Sequence, residues 1–178
     1  MTNPAQLPAI LPFVLGQSSS INELTWFTVF GAVYDVENPN TLIDTITPQL
    51  LQVSAFVDFF PGTQVASFPA GFTVLVPRLD HGDGTSGDTM VPLAPITARL
   101  INGQICAISA GDPQGQQLLA NTAILNLANP LYYHVRWRNV TFGGGVQVIS
   151  NFAFLAPNVA SIVDITSPSL TTVPYGGP

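Results

Sequence analysis

The chain is 178 residues long, has a formal net charge of −6, and is 8% charged residues, against roughly 25% in an ordinary soluble domain. Its basic side chains are Arg78, Arg99, Arg136 and Arg138, with no lysine, so the dense cationic surface that neutralises phosphates is missing. This excludes sequence-independent binding to nucleic acid and disfavours anionic membrane surfaces. The length suits one domain, or one domain with an arm, and is enough to bury a core without staples. So few charges leave the surface to Ser, Thr, Asn, Gln and apolar groups, which suits burial against neighbouring subunits. A secreted β domain with a neutral surface shares that composition. Cys106 stands alone, which excludes an internal disulfide. Its neighbours Ile105 and Ala107 point to a buried, inert thiol.

Residues 1–20 hold three prolines and end in Gln-Ser-Ser-Ser, poor material for helix or central strand. They predict an extended arm, with Leu7, Ile10, Leu11, Phe13, Val14 and Leu15 as the residues that pack on its own domain or on a neighbour. The run Ala9–Gly16 resembles the core of a secretory signal. No basic residue precedes Arg78, and Pro8 and Pro12 interrupt the run, so no signal is expected. No stretch of eighteen apolar residues exists, and no membrane-spanning helix is expected.

Residues 21–178 predict a single β domain. Trp26–Val36 is aromatic and β-branched and ends in the turn-forming Glu37-Asn38-Pro39-Asn40. In Leu51–Phe60, Val53, Ala55, Val57 and Phe59 alternate with Gln52, Ser54 and Asp58, the period of a half-buried strand that Pro61-Gly62 stops. Phe72–Val76 is a short strand closed by Pro77, and Leu79–Met90 reads as a Gly- and Asp-rich surface loop. Ile96–Leu100 alternates again, with Thr97 and Arg99 outward. Asn102-Gly103 tolerates positive φ at both central turn positions and predicts a hairpin to Ile105–Ser109. Asp112-Pro113-Gln114-Gly115 reads as a type I turn. Leu118–Leu127 fits either a strand or a short helical turn. Leu131–Phe142 is the clearest strand, with Tyr133, Val135 and Trp137 on one face and His134, Arg136 and Arg138 on the other. Gly143–Gly145 allows a tight reversal into Val146–Ala156. Ser161–Ile165 is a last strand before a Pro- and Gly-rich tail. Many short strands between turn signals predict an all-β fold, an antiparallel β-sandwich of Ig-like or jelly-roll-like kind.

Chemistry-bearing patterns are sparse. His81 and His134 are the histidines, and no Gly-x-Ser-x-Gly elbow accompanies them. His134, alternating with arginines, is expected at the surface. Asp80, Asp83 and Asp88 on a Gly-rich stretch are weak candidates for a Ca²⁺ site, since their spacing lacks the Asp-x-Asp-x-Asp-Gly pattern and its late Glu. Asp35, Glu37, Asp44 and Asp58 supply carboxylates, but nothing in their spacing brings two to one cleft. Trp26, Tyr132 and Trp137 are possible contact or glycan-stacking aromatics, although Trp137 lies on the apolar face of its strand. No cofactor is expected, and no catalytic residue emerges.

Several runs resemble a known group in order and spacing. They are Pro95–Ile105, Leu119–Ala123, Asn139–Gly145, Phe152–Pro157 and Val163–Pro168. Together they resemble structural proteins, of the minor tail type, of tailed phages that infect mycobacteria and related actinobacteria. The likeness covers roughly Val74–Tyr175 and rests on turns and strands. It implies a non-enzymatic virion component on the tail or capsid surface. Other virion proteins and further copies of itself would be its partners, and a host cell-envelope glycan a possible one. A capsid decoration or head-fibre protein, or a carbohydrate- or receptor-binding β module, is the alternative.

Overall fold

The computed structural model describes residues 21–36, 50–110, 114–142, 145–146 and 148–177. The arm with Leu7, Ile10, Leu11, Phe13, Val14 and Leu15, the turn at 37–40, Asp44 and the Asp112-Pro113 turn lie outside these residues. The described chain is all β. Its strands are β1 (Trp26–Phe30), β2 (Tyr34–Val36), β3 (Leu50–Gln52), β4 (Ser54–Gly62), β5 (Phe72–Asp80), β6 (Ser86–Leu93) and β7 (Ile96–Ile101). They continue with β8 (Gln104–Ala107), β9 (Gln116–Leu119), β10 (Tyr132–Phe142), β11 (Gly145–Val146), β12 (Phe152–Leu155), β13 (Ile162–Asp164) and β14 (Thr172–Pro174). A single 3-10 turn, Ala123–Leu125, follows β9.

The large sheet runs β14-β12-β10-β4-β7-β8, with β11 added beside β10, and all its pairings are antiparallel. A second sheet runs β13-β1-β9, and β2-β3 and β5-β6 form two-stranded ribbons. Period-2 alternation makes the sandwich. Val57 and Phe59 of β4, Ala98 and Leu100 of β7, Tyr133, Val135 and Trp137 of β10, and Phe154 of β12 are all buried in one core. Phe27, Val29 and Leu118 of the small sheet join them from the opposite side. Phe27, Tyr133 and Phe154 meet as an aromatic triangle with centroids 6.0–6.3 Å apart. The Tyr133 hydroxyl crosses between the sheets and donates to the Leu119 carbonyl at 3.1 Å. Burial pushes its phenol well above the usual tyrosine range, although that hydrogen bond opposes the shift.

Along one side the sheets are joined through β8. Ile105 N–H donates to Gly31 O, Val33 N–H to Gly103 O, and Gly115 N–H to Ile105 O. The Asn102-Gly103 hairpin forms as expected, with φ of 52° and 75°. Leu118–Leu127 resolves into both of its alternatives, β9 and the 3-10 turn. Cys106 is buried, its thiol pointing at the carbonyls of Ala107 and Ala110.

Four expectations change. Pro61-Gly62 does not end its strand; β4 runs through both residues, paired with Tyr133 and Tyr132. Proline is tolerated there because β7 pairs only with Phe56–Phe59; beyond it Pro61 contributes its carbonyl, to Phe68 N–H, and needs no N–H of its own. Pro77 does not end β5 either. A register shift between Val76 and Leu79, with Arg78 at φ 50°, absorbs it as a bulge. The stretch expected as a loop at Leu79–Met90 is therefore mostly hairpin. The tail holds one more strand, β14, which its prolines and glycines conceal.

Tyr133→Phe keeps the ring packing and removes the inter-sheet hydrogen bond, so it should lower stability by about 1 kcal/mol with an unchanged urea m-value. Equilibrium urea unfolding measures both.

Candidate functional site

The outer face of the large sheet carries the densest polar cluster among the described residues. On β4 the outward positions are Phe56, Asp58 and Phe60; directly opposite on β10 stand Arg138, Arg136 and His134. Thr97 and Arg99 of β7 face Asp58 and Phe56 from the other side. Strand alternation thus delivers three arginines, a histidine and a carboxylate to one surface, as the sequence suggested for β10. Asp58, on the face opposite the core, is nonetheless only 3% exposed.

Its carboxylate accepts five hydrogen bonds. Arg138 grips it as a fork, Nε to Oδ2 at 2.5 Å and Nη2 to Oδ1 at 2.9 Å. Arg136 donates to Oδ2 from Nε at 3.2 Å and from Nη2 at 3.0 Å. The Thr97 hydroxyl donates to Oδ1 at 2.8 Å. Each guanidinium also lies over a phenyl ring, Arg136 at 4.8 Å from the Phe60 centroid and Arg138 at 5.6 Å from that of Phe56. Burial alone would raise the Asp58 carboxyl; the hydrogen bonds from Arg138, Thr97 and Arg136 outweigh it and hold the group below the usual aspartate range. Arg138 is raised in turn by its bond to Asp58. Arg99 reaches away from this cluster, its Nη2 donating to the Ala110 carbonyl at 2.9 Å.

His134 is fully buried, contrary to its expected surface position. Its Nε2–H donates to the Thr63 carbonyl at 2.7 Å, and its Nδ1 accepts the Gly176 N–H at 3.0 Å, so both ring nitrogens are engaged. The Tyr175 ring meets it edge-on at 5.7 Å. The Gly176 carbonyl in turn accepts the Ser67 N–H at 2.7 Å. A Cβ at Gly176 would sit 2.2 Å from the Val65 carbonyl oxygen, so only glycine lets the tail lie this close. His134 is a clasp for the carboxy-terminal strand, with both ring nitrogens occupied and none left for proton transfer.

The hairpin β5-β6 places Asp80, Asp83 and Asp88 on separate tasks. Asp80 accepts Gly82 N–H at 2.8 Å, Asp83 accepts Thr85 N–H and hydroxyl at 2.9 and 2.6 Å, and Asp88 accepts the bulged Arg78 N–H at 3.1 Å. His81 bridges the hydroxyls of Thr85 and Thr89. No cluster of three or more potential metal ligands forms among the described residues. The carboxylates are consumed in building the turn and the bulge.

The three aromatics part company. Trp137 is 8% exposed in the core, which removes it as a glycan platform; its backbone N–H donates to the Asn151 side chain beyond the end of β12. Trp26 is 45% exposed on the outer face of the small sheet. Tyr132 is half-buried and lines a shallow depression of about 310 Å³ with Thr63, Gln64, Val65, Asn129 and Pro130. A second depression of about 460 Å³ shares Asn129 and Pro130 and continues past Asn121, Thr122, Asn126 and Asn158. Short-range pattern does not reveal these depressions, because their residues come from three separated segments. Compared with known protein families, with curated proteins and with solved structures, the chain matches none of them.

Asp58→Asn removes the anion between two arginines and should destabilise the fold by roughly 2–4 kcal/mol in urea. The Asp58 carboxyl is depressed in the folded state, so its stabilisation is complete above about pH 4 and is lost as pH falls below that towards the folded value. The wild-type urea midpoint should fall on that acid limb, and Asp58→Asn should lack this component. His134→Leu fills the same space but leaves Thr63 O and Gly176 N–H without their partners, and should lower stability by about 2 kcal/mol. Limited proteolysis should then release the segment after Leu170 before the core is cut.

Proposed function

We propose that this chain is a non-enzymatic structural subunit of a tailed-phage particle, a minor tail or tail-tip component that acts through contacts with other subunits. The observation that carries the reading is a weakly charged surface on which apolar side chains stand in pairs. Leu75 and Met90 lie directly opposite each other on the outward face of the β5-β6 hairpin, 52% and 62% exposed, while Val74 and Val76 on the other face enter the core. On the small sheet, exposed Trp26 and Ile162 share the outer face, Ile162 opposite Thr28, two residues along β1 from Trp26. Burying such pairs against a neighbour gains roughly 25 cal/mol per Å² of apolar area, less the ordering of the groups involved. The polar clusters support the same reading, since the Asp58 and His134 groups are engaged in holding strands. The runs that resemble phage structural proteins fall on framework: Pro95–Ile105 covers β7, its turn and the start of β8, and Phe152–Pro157 covers β12.

Leu75→Glu with Met90→Glu changes only exposed side chains and should leave the melting temperature within about 2 °C of wild type. The same double variant should not incorporate into particles, as scored by quantitative mass spectrometry of purified virions against the major capsid protein. The wild-type chain should appear at a few copies per particle. Its absence from virions, or normal incorporation of the double variant, would overturn this reading.

A further inference from the structure

We infer that the two adjoining depressions around Asn129 and Pro130 form a binding site for an uncharged glycan. This assignment rests on the lining and does not depend on the virion reading. Five residues that carry side-chain amides line the depressions: Gln64, Asn121, Asn126, Asn129 and Asn158. Among the described residues, none of the five is tied up in a side-chain hydrogen bond within the chain. The contrast is with Asn22 and Asn151, whose amides are engaged by Pro77 O and by Trp137 N–H. Thr122 also lines the site, and its hydroxyl oxygen, shielded from solvent, has no hydrogen-bond partner.

The chemistry that fits this lining is a polyol. A primary amide offers two donors and a carbonyl acceptor from one planar group, which matches neighbouring hydroxyls of a sugar ring. No charged residue lines either depression, so nothing selects a carboxylated, sulfated or phosphorylated sugar. Tyr132 and Pro130, beside the amides, present flat apolar surfaces suited to the C–H face of a pyranose. The site is shallow and extends over both depressions, a shape for a chain lying across the surface.

The backbone that carries the amides is fixed. Leu125 and Leu131 are buried at either side of the 126–130 loop. Asn121 N–H donates to Pro157 O at 2.8 Å, and Asn126 N–H closes the 3-10 turn on Ala123 O at 3.1 Å. Asn126 sits in the left-handed region at φ 47°, where asparagine is one of the few tolerated side chains. On the facing segment, Thr63 is held by its N–H to Ala66 O and by its carbonyl to His134. Little ordering remains to oppose binding.

Affinity electrophoresis of the full chain in native gels containing dextran, mannan or galactan tests the site, with alginate as the anionic control. The wild type should be retarded by at least one of the neutral polysaccharides and not selectively by alginate. Asn129→Ala with Asn158→Ala alters two exposed side chains, should keep the melting temperature, and should weaken the apparent affinity about tenfold. Asn126→Gly keeps the left-handed backbone, removes one amide, and should weaken it as well. Absence of retardation by all of the neutral polysaccharides, retardation by alginate alone, or undiminished retardation of the folded variants would overturn the assignment.

Discussion

Placing the Asp58 carboxylate out of water under two arginines is the constraint around which the large sheet is organised. A buried ion loses several kcal/mol of hydration, and the loss is recovered only when geometry and hydrogen bonds are good. Here three adjacent strands supply the compensation: Thr97 from β7, Arg136 and Arg138 from β10, and the acid itself from β4. A slip of one residue in β4 would turn Asp58 into the apolar core and expose Val57 and Phe59. The ion cluster and the hydrophobic face therefore specify the same register from opposite sides of the sheet. In a chain with so few charges, concentrating two of its four arginines on one acid is a substantial commitment.

What the sequence made legible was whatever depends on short-range pattern. Alternation assigned both faces of β10 correctly, and Asn-Gly located the β7-β8 hairpin because its backbone demand is local. The errors arose where a distant partner decides the outcome. Asp58 looks like any outward acid until Arg136 and Arg138, far along the chain, cover it. His134 alternates with arginines and so looks exposed; the tail that buries it belongs to the last residues described. Pro61 and Pro77 looked like strand ends because pattern does not show where a strand is locally an edge or bulged. The amide-lined depressions were invisible for the same reason, being assembled from residues near 64, 121–132 and 158.

The polar side chains divide into those that hold the fold and those that do not. Asp58, His134, Asp80, Asp83, Asp88, Asn22 and Asn151 each satisfy a backbone group or a charge of the protein itself. The amides about Asn129 have no such duty, and they sit on a loop anchored by Leu125 and Leu131. A rigid frame displaying unengaged polar groups is the arrangement in which a surface loop serves recognition. Leu75, Met90, Trp26 and Ile162 are not among the residues that line either depression.

The way the sheets are threaded also sets how the chain reaches this structure. The hairpins β5-β6 and β7-β8 join neighbours in sequence and close small loops. The central pair β4-β10 joins residues about 78 positions apart, and Thr166 bonds to Ala32 across 134 positions. Loop-closure entropy must be met before such pairs return any stabilisation, which makes non-local β topologies slow to fold. On a ribosome, β4 can pair with β7 once that strand emerges, but its other edge would wait for β10, and the small sheet would wait longer still for β13. During that interval the apolar face of Val57 and Phe59 is open, and a chaperone or a neighbouring nascent chain is the competitor that β10 has to outrun.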